Sequence, residues 1–372
     1  MGITGSDVYF FTVCQLGAEN ALKEEIAREH AELRFAFSRP GFITFKWTGA
    51  SSEVPSTLNS VFARAWGISV KKLSQKKDGP PLAESEVVQE VLDLAGKLSA
   101  RRFHVWQRDL FKPGEEPLSY DPREFAAPLE SLVRKAERSP FSSVDQSAKP
   151  GDLVLDLIWI DPGVWWLGYH VCVLPGRSGY PGGKMPVVLP PEAPSRAFLK
   201  LEEAIIGSQL PVRSGDVAVE IGSAPGGASY ALLKRGVNVH GIDVYAMDKV
   251  VMLHTYPGKK PWFRFTQQPI GNVMPDGLPE DVHWLLLDMN VAPKISLFEV
   301  DRLATLLGRS LLGLILTVKL NDWKIAAEIP SILEHVRALG MVEVIASQLP
   351  SNRQEFCVTA LTRAGLNRRG SS

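Results

Sequence analysis

Residues 217–236 read VAVEIGSAPGGASYALLKRG, in which an apolar run breaks into a turn of small residues and then into a helical pattern. Strand-like and helix-like segments alternate from there to residue 363, and this alternation predicts a parallel, doubly wound α/β sheet. The closing hairpin, 342–363, is expected to add an antiparallel edge strand, as such sheets often carry. Ligands of open α/β sheets bind beyond the carboxyl ends of the strands, so this turn is a candidate ligand site.

The glycines of the turn do not match the common nucleotide-binding loops. A dinucleotide loop reads GxGxxG and a P-loop ends in Gly-Lys-Ser/Thr, whereas this turn has glycine at 222, 226 and 227 but not at 224. Pro225 fixes φ at about −65°, and Gly226 and Gly227 lack a Cβ where a ligand could approach the backbone. Asp243 ends the following strand, where a carboxylate can accept hydrogen bonds from ribose hydroxyls. The turn therefore indicates an adenosine-bearing cofactor such as S-adenosylmethionine; the alternative is a tight turn that binds nothing.

The composition is that of an ordinary globular protein. The 372 residues include 41 basic and 41 acidic side chains, so any binding of nucleic acid must depend on local patches. Cys14, Cys172 and Cys357 have neither metal nor redox spacing and favour a reducing, cytoplasmic compartment. The seven histidines form no HxxxH pattern, so no metal site is expected. No signal peptide and no apolar run of membrane-spanning length is expected either.

Changes of pattern along the chain predict its domains. Strand-like segments at 9–14 and 41–47 flank a helical segment at 18–30, and the unit behind them alternates helices and strands without a Gly-rich loop. A Pro- and Gly-rich stretch then precedes the regular α/β part. The predicted divisions are an α+β unit, a second α+β unit, a linker, the Rossmann-like domain and a flexible tail, at 1–54, 55–174, 175–194, 195–364 and 365–372.

Four charged residues stand at the borders of apolar segments. Lys200 lies on the helix before the first strand of the regular part, Asp288 and Lys319 end the runs WLLL and LGLILTV, and Glu355 begins EFCVTAL. Asp288 and Lys319 are expected at the same rim as the turn, because both follow parallel strands. A single charge there commonly marks only where the chain surfaces. Two cations and two anions on one rim would instead hold each other ionised and shift their pKa values.

These residues and their surroundings resemble a known family. The segments SRAFLKLEEA, VEIGSAPGG, LDM, VKL and QEF are similar to the FtsJ-like ribose 2′-O-methyltransferases with their Lys-Asp-Lys-Glu tetrad, and more closely to the ribosomal RNA large subunit methyltransferase M family. The resemblance implies a ferredoxin-like domain, an RNA-binding THUMP domain and a Rossmann-like catalytic domain with a mostly parallel seven-stranded sheet containing one antiparallel strand. It also implies a monomer that uses S-adenosylmethionine to methylate a cytidine ribose in 23S ribosomal RNA.

The resemblance assigns a role to each member of the tetrad. Lys319 activates the ribose hydroxyl, which requires either a pKa well below ~10.4 or an alignment that lets it accept the proton in the transition state. Lys200 supplies a second positive charge that disfavours protonation of Lys319. Asp288 and Glu355 orient the lysines and the hydroxyl, and Asp288 also reaches the amino group of the cofactor.

The turn, its neighbours and the resemblance together predict the cofactor contacts. They are the residues Ser195, Gly222, Ala224, Pro225, Gly226, Gly227, Asp243, Gln268 and Asp288. Members of the family usually place an acidic residue near the adenine, whereas the stretch WFRFTQQPIG (262–271) offers Gln267 or Gln268. An amide can still read the adenine edge, so the departure concerns the affinity for the cofactor.

Clusters of basic residues are candidate RNA contacts. Solvated surface is the default for Lys71, Lys72, Lys76 and Lys77 and for the pair Arg101 and Arg102, while the cations beside the linker are favoured as contacts: Arg177, Lys184 and Arg196. Trp165 and Trp166 are expected to pack in a core. Two alternatives stay open for the whole chain: an RNA-binding protein that keeps the fold with little or no turnover, and a ribose methyltransferase that acts on another RNA.

Other enzyme classes fit the sequence less well. An amino-type base methyltransferase is disfavoured because Asp288 is followed by Met-Asn-Val rather than by Pro-Pro-aromatic. A cytosine C5 enzyme needs a nucleophilic cysteine, and Cys357 lies within a strand beside no motif. The glycine spacing disfavours a nicotinamide-dependent oxidoreductase.

Overall fold

Two seven-stranded sheets organise the chain, one in each of its two compact units, Met1–Met185 and Pro186–Ser372. The computed structural model describes residues 8–50, 54–55, 57–75, 79–117, 127–141, 144, 147–173, 178–255, 260–308 and 310–371. The division between the units lies inside the stretch predicted as a linker. No helix among the described residues is long and apolar enough to cross a membrane.

The sheet of the first unit is antiparallel apart from one pair of strands. Its strands are β1 (Tyr9–Val13), β2 (Leu33–Arg39), β3 (Phe42–Trp47), β4 (Ala65–Ser74), β5 (Arg102–Gln107), β6 (Leu153–Asp161) and β7 (Val164–Val171). They lie in the order β2-β3-β1-β4-β7-β6-β5, and β5 and β6 are the parallel pair. The described helices are α1 (Glu19–Glu29), α2 (Glu84–Leu98) and α3 (Ala127–Lys135), with a 3-10 turn at Pro181–Gly183.

Both predicted N-terminal domains contribute strands to this single sheet. β1 to β3 come from 1–54 and β4 to β7 from 55–174, so the division into a ferredoxin-like and a THUMP-like domain stays a prediction. No strand is predicted from the sequence at β2. Leu33 is the only buried residue of this strand, so the alternation of apolar and polar residues is weak there. Trp165 and Trp166 are each 9% exposed and belong to two different apolar clusters, as the core prediction requires.

The second unit has the predicted doubly wound α/β fold. Its strands are β8 (Val217–Ile221), β9 (Asn238–Asp243), β10 (Phe263–Gln267), β11 (Trp284–Leu287), β12 (Gly313–Lys319), β13 (Glu343–Ser347) and β14 (Glu355–Leu361). Its helices are α4 (Ala197–Gly207), α5 (Gly227–Lys234), α6 (Lys249–Met252), α7 (Pro293–Leu307), α8 (Ile329–Ala338) and α9 (Arg363–Gly370). Short 3-10 turns lie at Ile270–Asn272, Pro275–Gly277 and Trp323–Glu328.

The position of the antiparallel strand differs from the prediction. The order is β10-β9-β8-β11-β12-β14-β13, and β14 runs antiparallel to both of its neighbours. The prediction of an antiparallel strand at the edge is therefore wrong in position. The antiparallel strand, β14, lies inside the sheet, and β13 forms the edge. Burial explains the order: all seven residues of β14 are buried, whereas four of the five residues of β13 are partly exposed.

The predicted flexible tail, 365–372, is wrong for most of its length. Residues 363–370 form α9, and two arginines tie this helix to the domain. Arg369 makes a bidentate pair with Glu343 at 2.6 and 2.7 Å, and Arg368 donates to Asp216 at 2.8 Å. The polar composition of the tail reflects these ion pairs.

The sheet brings three parallel strand ends and one strand start to the same rim. In register, Leu287 at the end of β11 lies between Ile221 at the end of β8 and Leu316 of β12. Because β14 is antiparallel, its first residue pairs with the last residue of β12, so Glu355 stands opposite Lys319. The turn after β8 and the predicted tetrad therefore share one rim.

The glycines of the turn allow close packing against the protein itself. A Cβ on Gly222, whose φ is +74°, would lie 2.5 Å from the carbonyl oxygen of Asp288. A Cβ on Gly226 would lie 2.7 Å from the side chain of Val251, and one on Gly227 would lie 2.7 Å from the carbonyl oxygen of Ser195. The sequence suggests that a ligand approaches the backbone at Gly226 and Gly227; in the structure, protein atoms occupy the space that a Cβ would need at both. The glycines thus hold the turn against the strand and the helix that carry the charged residues.

Substitution of Gly227 tests this packing. Because the carbonyl oxygen of Ser195 is backbone, Gly227→Ala is expected to lower the free energy of unfolding by about 1–3 kcal/mol. Gly271→Ala is the matched control, since nothing lies within 4 Å of its added Cβ, and its effect is expected within about 0.5 kcal/mol. Urea unfolding of both variants gives the comparison, and equal midpoints would contradict the packing role.

Candidate active site

Four different elements carry the four predicted charges to the rim. Lys200 lies in the second turn of α4, Asp288 directly follows β11, Lys319 is the last residue of β12 and Glu355 is the first of β14. Asp288 and Lys319 stand where apolar strands end, Glu355 stands where one begins, and Lys200 reaches the rim from within α4. The structure therefore brings all four residues together, as the sequence predicts for residues at this rim.

The four side chains form a closed ring in which the charges alternate. Nζ of Lys200 lies 2.9 Å from Oδ2 of Asp288 and 2.8 Å from Oε1 of Glu355. Nζ of Lys319 lies 2.8 Å from Oδ1 of Asp288 and 2.5 Å from Oε2 of Glu355. Each carboxylate thus gives one oxygen to each lysine, and the ring as a whole is neutral.

The ring is largely shielded from water, and this shielding acts on its pKa values. The side chain of Glu355 is 7% exposed, and the other three are 15–19% exposed. Burial alone would lower the pKa of Lys319, but the charges and hydrogen bonds of Asp288 and Glu355 outweigh it and raise that pKa above its ordinary value. Burial alone would raise the pKa of Glu355, but Lys200 and Lys319 lower it to about 2.

This result corrects one of the two routes predicted for Lys319. The prediction of a strongly lowered pKa for Lys319 is wrong for the free protein, because two carboxylates lie in contact with its ammonium group. The positive charge of Lys200 does not overcome them. What stays open is the other route, in which an aligned Lys319 accepts a proton only as the reaction proceeds.

Glu220 is a further acidic group near the ring that the sequence reading did not select. It lies in β8, is 2% exposed and accepts a hydrogen bond of 2.5 Å from Oγ of Ser229. Burial, together with the charges of Asp288 and Asp243, raises its pKa to about 8. Glu220 therefore carries a proton near neutral pH. The signal in the sequence is an acidic residue inside the otherwise apolar strand VAVEI.

Asp243 braces the turn after β8. Its Oδ2 accepts a hydrogen bond of 2.8 Å from the backbone N–H of Ala224, and its Oδ1 accepts one of 2.9 Å from Tyr245. The carboxylate keeps lone pairs for further donors, because each oxygen has taken one hydrogen bond in these contacts. Asp243 can thus both fix the turn and hold a hydroxyl-bearing ligand.

The other predicted cofactor residues lie around the same turn. Gln267 ends β10 in register with Asp243 and donates from Nε2 to the carbonyl oxygen of Val244 at 3.2 Å, and Gln268 follows it. Ser195 precedes α4, and its Oγ accepts from the N–H of Ala197 at 3.3 Å. The structure therefore places the carboxylate of Asp243 beside one end of the turn, with Gln267 at the end of the neighbouring strand and Gln268 next in the chain.

This set of groups fits S-adenosylmethionine. Asp243 offers acceptors for ribose hydroxyls and Gln267 and Gln268 offer amides for an adenine edge. At the far end of the turn, Asp288 offers a carboxylate for an ammonium group. No group of three histidine, cysteine, aspartate or glutamate side chains suited to a metal occurs within the described residues.

Several of the predicted RNA contacts have partners within the protein. Lys71 pairs with Glu90 at 2.5 Å and Arg102 with Asp152 at 2.9 Å. Lys184 pairs with Asp109 at 2.8 Å. Arg196 donates to the carbonyl oxygen of Ser351 at 3.2 Å. Three of the predicted contacts lie outside the described residues: Lys76, Lys77 and Arg177.

Comparison with known proteins gives relatives for the second unit and for much of the chain. The FtsJ-like methyltransferase family matches residues 193–329. The ribosomal RNA large subunit methyltransferase M of Sodalis glossinidius is 30% identical over 249 residues, which are 64% of this chain and 63% of that protein. The protein of the same name from Shewanella oneidensis is 28% identical over 308 residues, which are 76% of this chain and 77% of that protein.

The extent of these similarities limits what they show. The chain spans 63% of the length of the Sodalis relative. Among solved structures, TrmN from Thermus thermophilus aligns with 95% of this chain and 99% of its own at 16% identity and a TM-score of 0.33, a score too low to bear on function. The sequence match is specific for the region that carries the turn and three of the four charges. Residues 193–329 of this chain are therefore similar to the FtsJ-like methyltransferase family.

Proposed function

We propose that this protein transfers a methyl group from S-adenosylmethionine to the 2′-hydroxyl of a ribose, that of a cytidine, in the RNA of the large ribosomal subunit. The observation that carries the proposal is the closed ring of Lys200, Asp288, Lys319 and Glu355 beside the glycine turn. The names of the two relatives support ribosomal RNA as the substrate. The family match supports methyl transfer.

The residues of the turn and the rim would bind and align the reactants. S-adenosylmethionine supplies, when bound, a methyl group on a positively charged sulfur that an oxygen nucleophile can displace in line. Asp243 would hold the ribose hydroxyls of the cofactor and Gln268 its adenine. Asp288 would hold its amino group. Such a transfer depends on alignment, and no covalent intermediate with the protein is required.

The hydroxyl proton must leave during the transfer, and Lys319 is the residue proposed to take it. A protonated lysine cannot accept a proton, and the raised pKa of Lys319 keeps it protonated in the free protein. If the amino group of the cofactor joins Lys200 and Lys319 at Asp288, the hold of Asp288 on the proton of Lys319 weakens, because one carboxylate charge then serves three cations. Lys200 acts in the same direction. Lys319 would thus become a proton acceptor only in the loaded site.

The first unit is proposed to bind the RNA. Its proposed parts are a ferredoxin-like domain at 1–54 and a THUMP-like domain at 55–174, in a monomeric, cytoplasmic protein. Lys72 supports this role, because its side chain is exposed on β4 and its Nζ lies 5.6 Å from the ring centre of Phe37. Cations beside aromatic rings suit contact with phosphates and bases. The competing functions are binding without turnover and methylation of another RNA.

A single assay separates these functions. The protein is incubated with methyl-labelled cofactor and with ribosomal RNA that lacks its natural modifications, and the labelled position is mapped by ribose-specific sequencing. Label on one ribose 2′-oxygen of the large-subunit RNA is the expected result. Label on a base, or none above background, would contradict the proposal, and label confined to another RNA would favour the second alternative.

Substitution of Lys319 tests its role in that reaction. Lys319→Ala is expected to lower kcat by about 10²- to 10⁴-fold, since a positioned proton acceptor contributes on that scale. Binding of S-adenosylmethionine, measured by calorimetry, is expected to persist because the turn and Asp243 are intact. Lys324→Ala is the control, as Lys324 is exposed and lies outside the ring. Full activity of Lys319→Ala would rule out the role.

The pH dependence of the rate tests the protonation state of Lys319. The pKa of Lys319 is raised above its ordinary value in the free protein, so the neutral, accepting form grows with pH throughout the neutral and mildly alkaline range. The ratio kcat/KM for the cofactor reports the free enzyme and is expected to rise tenfold per pH unit without a plateau below about pH 10. The value of kcat reports the complex and is expected to level off at lower pH. A plateau of kcat/KM near neutral pH would contradict this account.

A further inference from the structure

A buried asparagine holds the carboxylate of Glu355 from the loop that precedes β14. Asn352 is 0% exposed. Its Oδ1 accepts a hydrogen bond of 2.8 Å from the N–H of Leu349, and its Nδ2 donates one of 3.2 Å to Oε1 of Glu355. These two contacts fix the orientation of the amide, because a flipped amide would place oxygen against a carboxylate and NH₂ against an N–H.

The same loop is held on its other side by Glu203. One oxygen of Glu203, Oε2, accepts hydrogen bonds from the backbone N–H of Ser351 at 2.9 Å and from its Oγ at 2.6 Å. Glu203 is 5% exposed and lies on α4, one helical turn beyond Lys200. The helix that brings Lys200 to the ring therefore also anchors the loop that carries Asn352.

Together these contacts fix the plane of the Glu355 carboxylate between the two lysines. Oε1 accepts a hydrogen bond from Asn352 and pairs with Lys200, and Oε2 pairs with Lys319. A small rotation of the carboxylate plane would lengthen its contacts with Asn352, Lys200 and Lys319. These donors cannot follow it freely, because they belong to buried or anchored segments. The carboxylate is therefore fixed in one orientation with one oxygen toward each ammonium group.

We infer that Asn352 and Glu203 are positioning residues for the methyl transfer. Asn352 orients the carboxylate of Glu355 directly, and Glu203 holds the loop in the place where Asn352 can do so. This inference rests on the proposed function, since the orientation of Glu355 matters for catalysis only if the ring acts on the ribose hydroxyl.

The substitution Asn352→Asp provides the sharpest test. It preserves the shape of the side chain, but it replaces the donor to Glu355 with a second carboxylate. The expected result is a fall of kcat by about 10- to 100-fold with the Kd for S-adenosylmethionine unchanged within about twofold, because alignment is lost and binding is not. The acid limb of the kcat profile is expected to move to higher pH, because a further negative charge beside the ring raises the pKa of Lys319. Asn367→Asp is the matched control, since Asn367 is exposed on α9.

Two further variants keep the test informative if an additional buried charge prevents folding. Asn352→Ala removes the donor without adding a charge, and it is expected to lower kcat while cofactor binding persists. Glu203→Gln keeps a side-chain oxygen that can accept the hydrogen bonds of Ser351, and it is expected to retain nearly the kcat of the wild type. Calorimetry with S-adenosylmethionine shows for each variant that the domain is folded.

The outcomes divide cleanly. If folded Asn352→Asp and Asn352→Ala both keep the kcat of the wild type, the inference is overturned. It is also overturned if kcat falls only as far as cofactor binding falls, because that result indicates a merely structural role. In either case an active wild type leaves the proposed function intact. Absence of ribose methylation by the wild type would overturn the proposed function, and this inference with it.

Discussion

Alternation of charge around the ring is the constraint on which the second unit depends. Each ammonium group lies between two carboxylates, and each carboxylate lies between two ammonium groups. Loss of one partner from such a buried set leaves an uncompensated charge, which typically costs about 3–5 kcal/mol. Because the four members come from four elements, α4, β11, β12 and β14 must all reach the rim together. The close packing of Gly222 on Asp288 and of Gly227 on Ser195 serves the same requirement.

The alternating contacts of the ring also explain why neither Lys319 nor Glu355 is a ready base in the free protein. Glu355, with its pKa lowered to about 2, is a poor proton acceptor, and Lys319 is protonated because two carboxylates surround it. Glu220, close behind the ring, is itself protonated near neutral pH, since its pKa is about 8. In the proposed mechanism, such a site becomes reactive only when bound ligands redistribute the contacts of Asp288. Binding and activation are then one event, which restricts the reaction to the assembled complex.

The sequence predicts the members of the site better than their electrostatics. Asp288 and Lys319 follow unbroken apolar runs, so their place at the strand ends can be read directly from the pattern. The direction of the pKa shift of Lys319 cannot be read from the pattern. It depends on two carboxylates that contact one ammonium group, and no local pattern encodes those distances. The sequence does not reveal the role of Asn352 for a similar reason. An asparagine in a loop is typical of any turn, and its contact with Glu355 is visible only in the structure.

Non-local pairing accounts for the errors in the fold as well. The hairpin at 342–363 is visible in the sequence, but the insertion of β14 between β12 and β13 depends on which strand is the more completely buried. The tail looks flexible because Arg368 and Arg369 are polar, and their acceptors, Asp216 and Glu343, lie far away along the chain. Local pattern thus predicts elements and strand ends well, and strand order and long-range ion pairs poorly.

The central claim is that Lys319 is a cation in the free protein and gives up its proton more readily when the site is loaded. Nuclear magnetic resonance of the lysine side chains, with Lys319→Arg used to assign the signal, measures its pKa directly. We expect a pKa above the ordinary value of 10.5 for the free protein and a lower one with S-adenosylmethionine bound. A pKa well below 10.5 in the free protein, or one that the cofactor leaves unchanged, would contradict it.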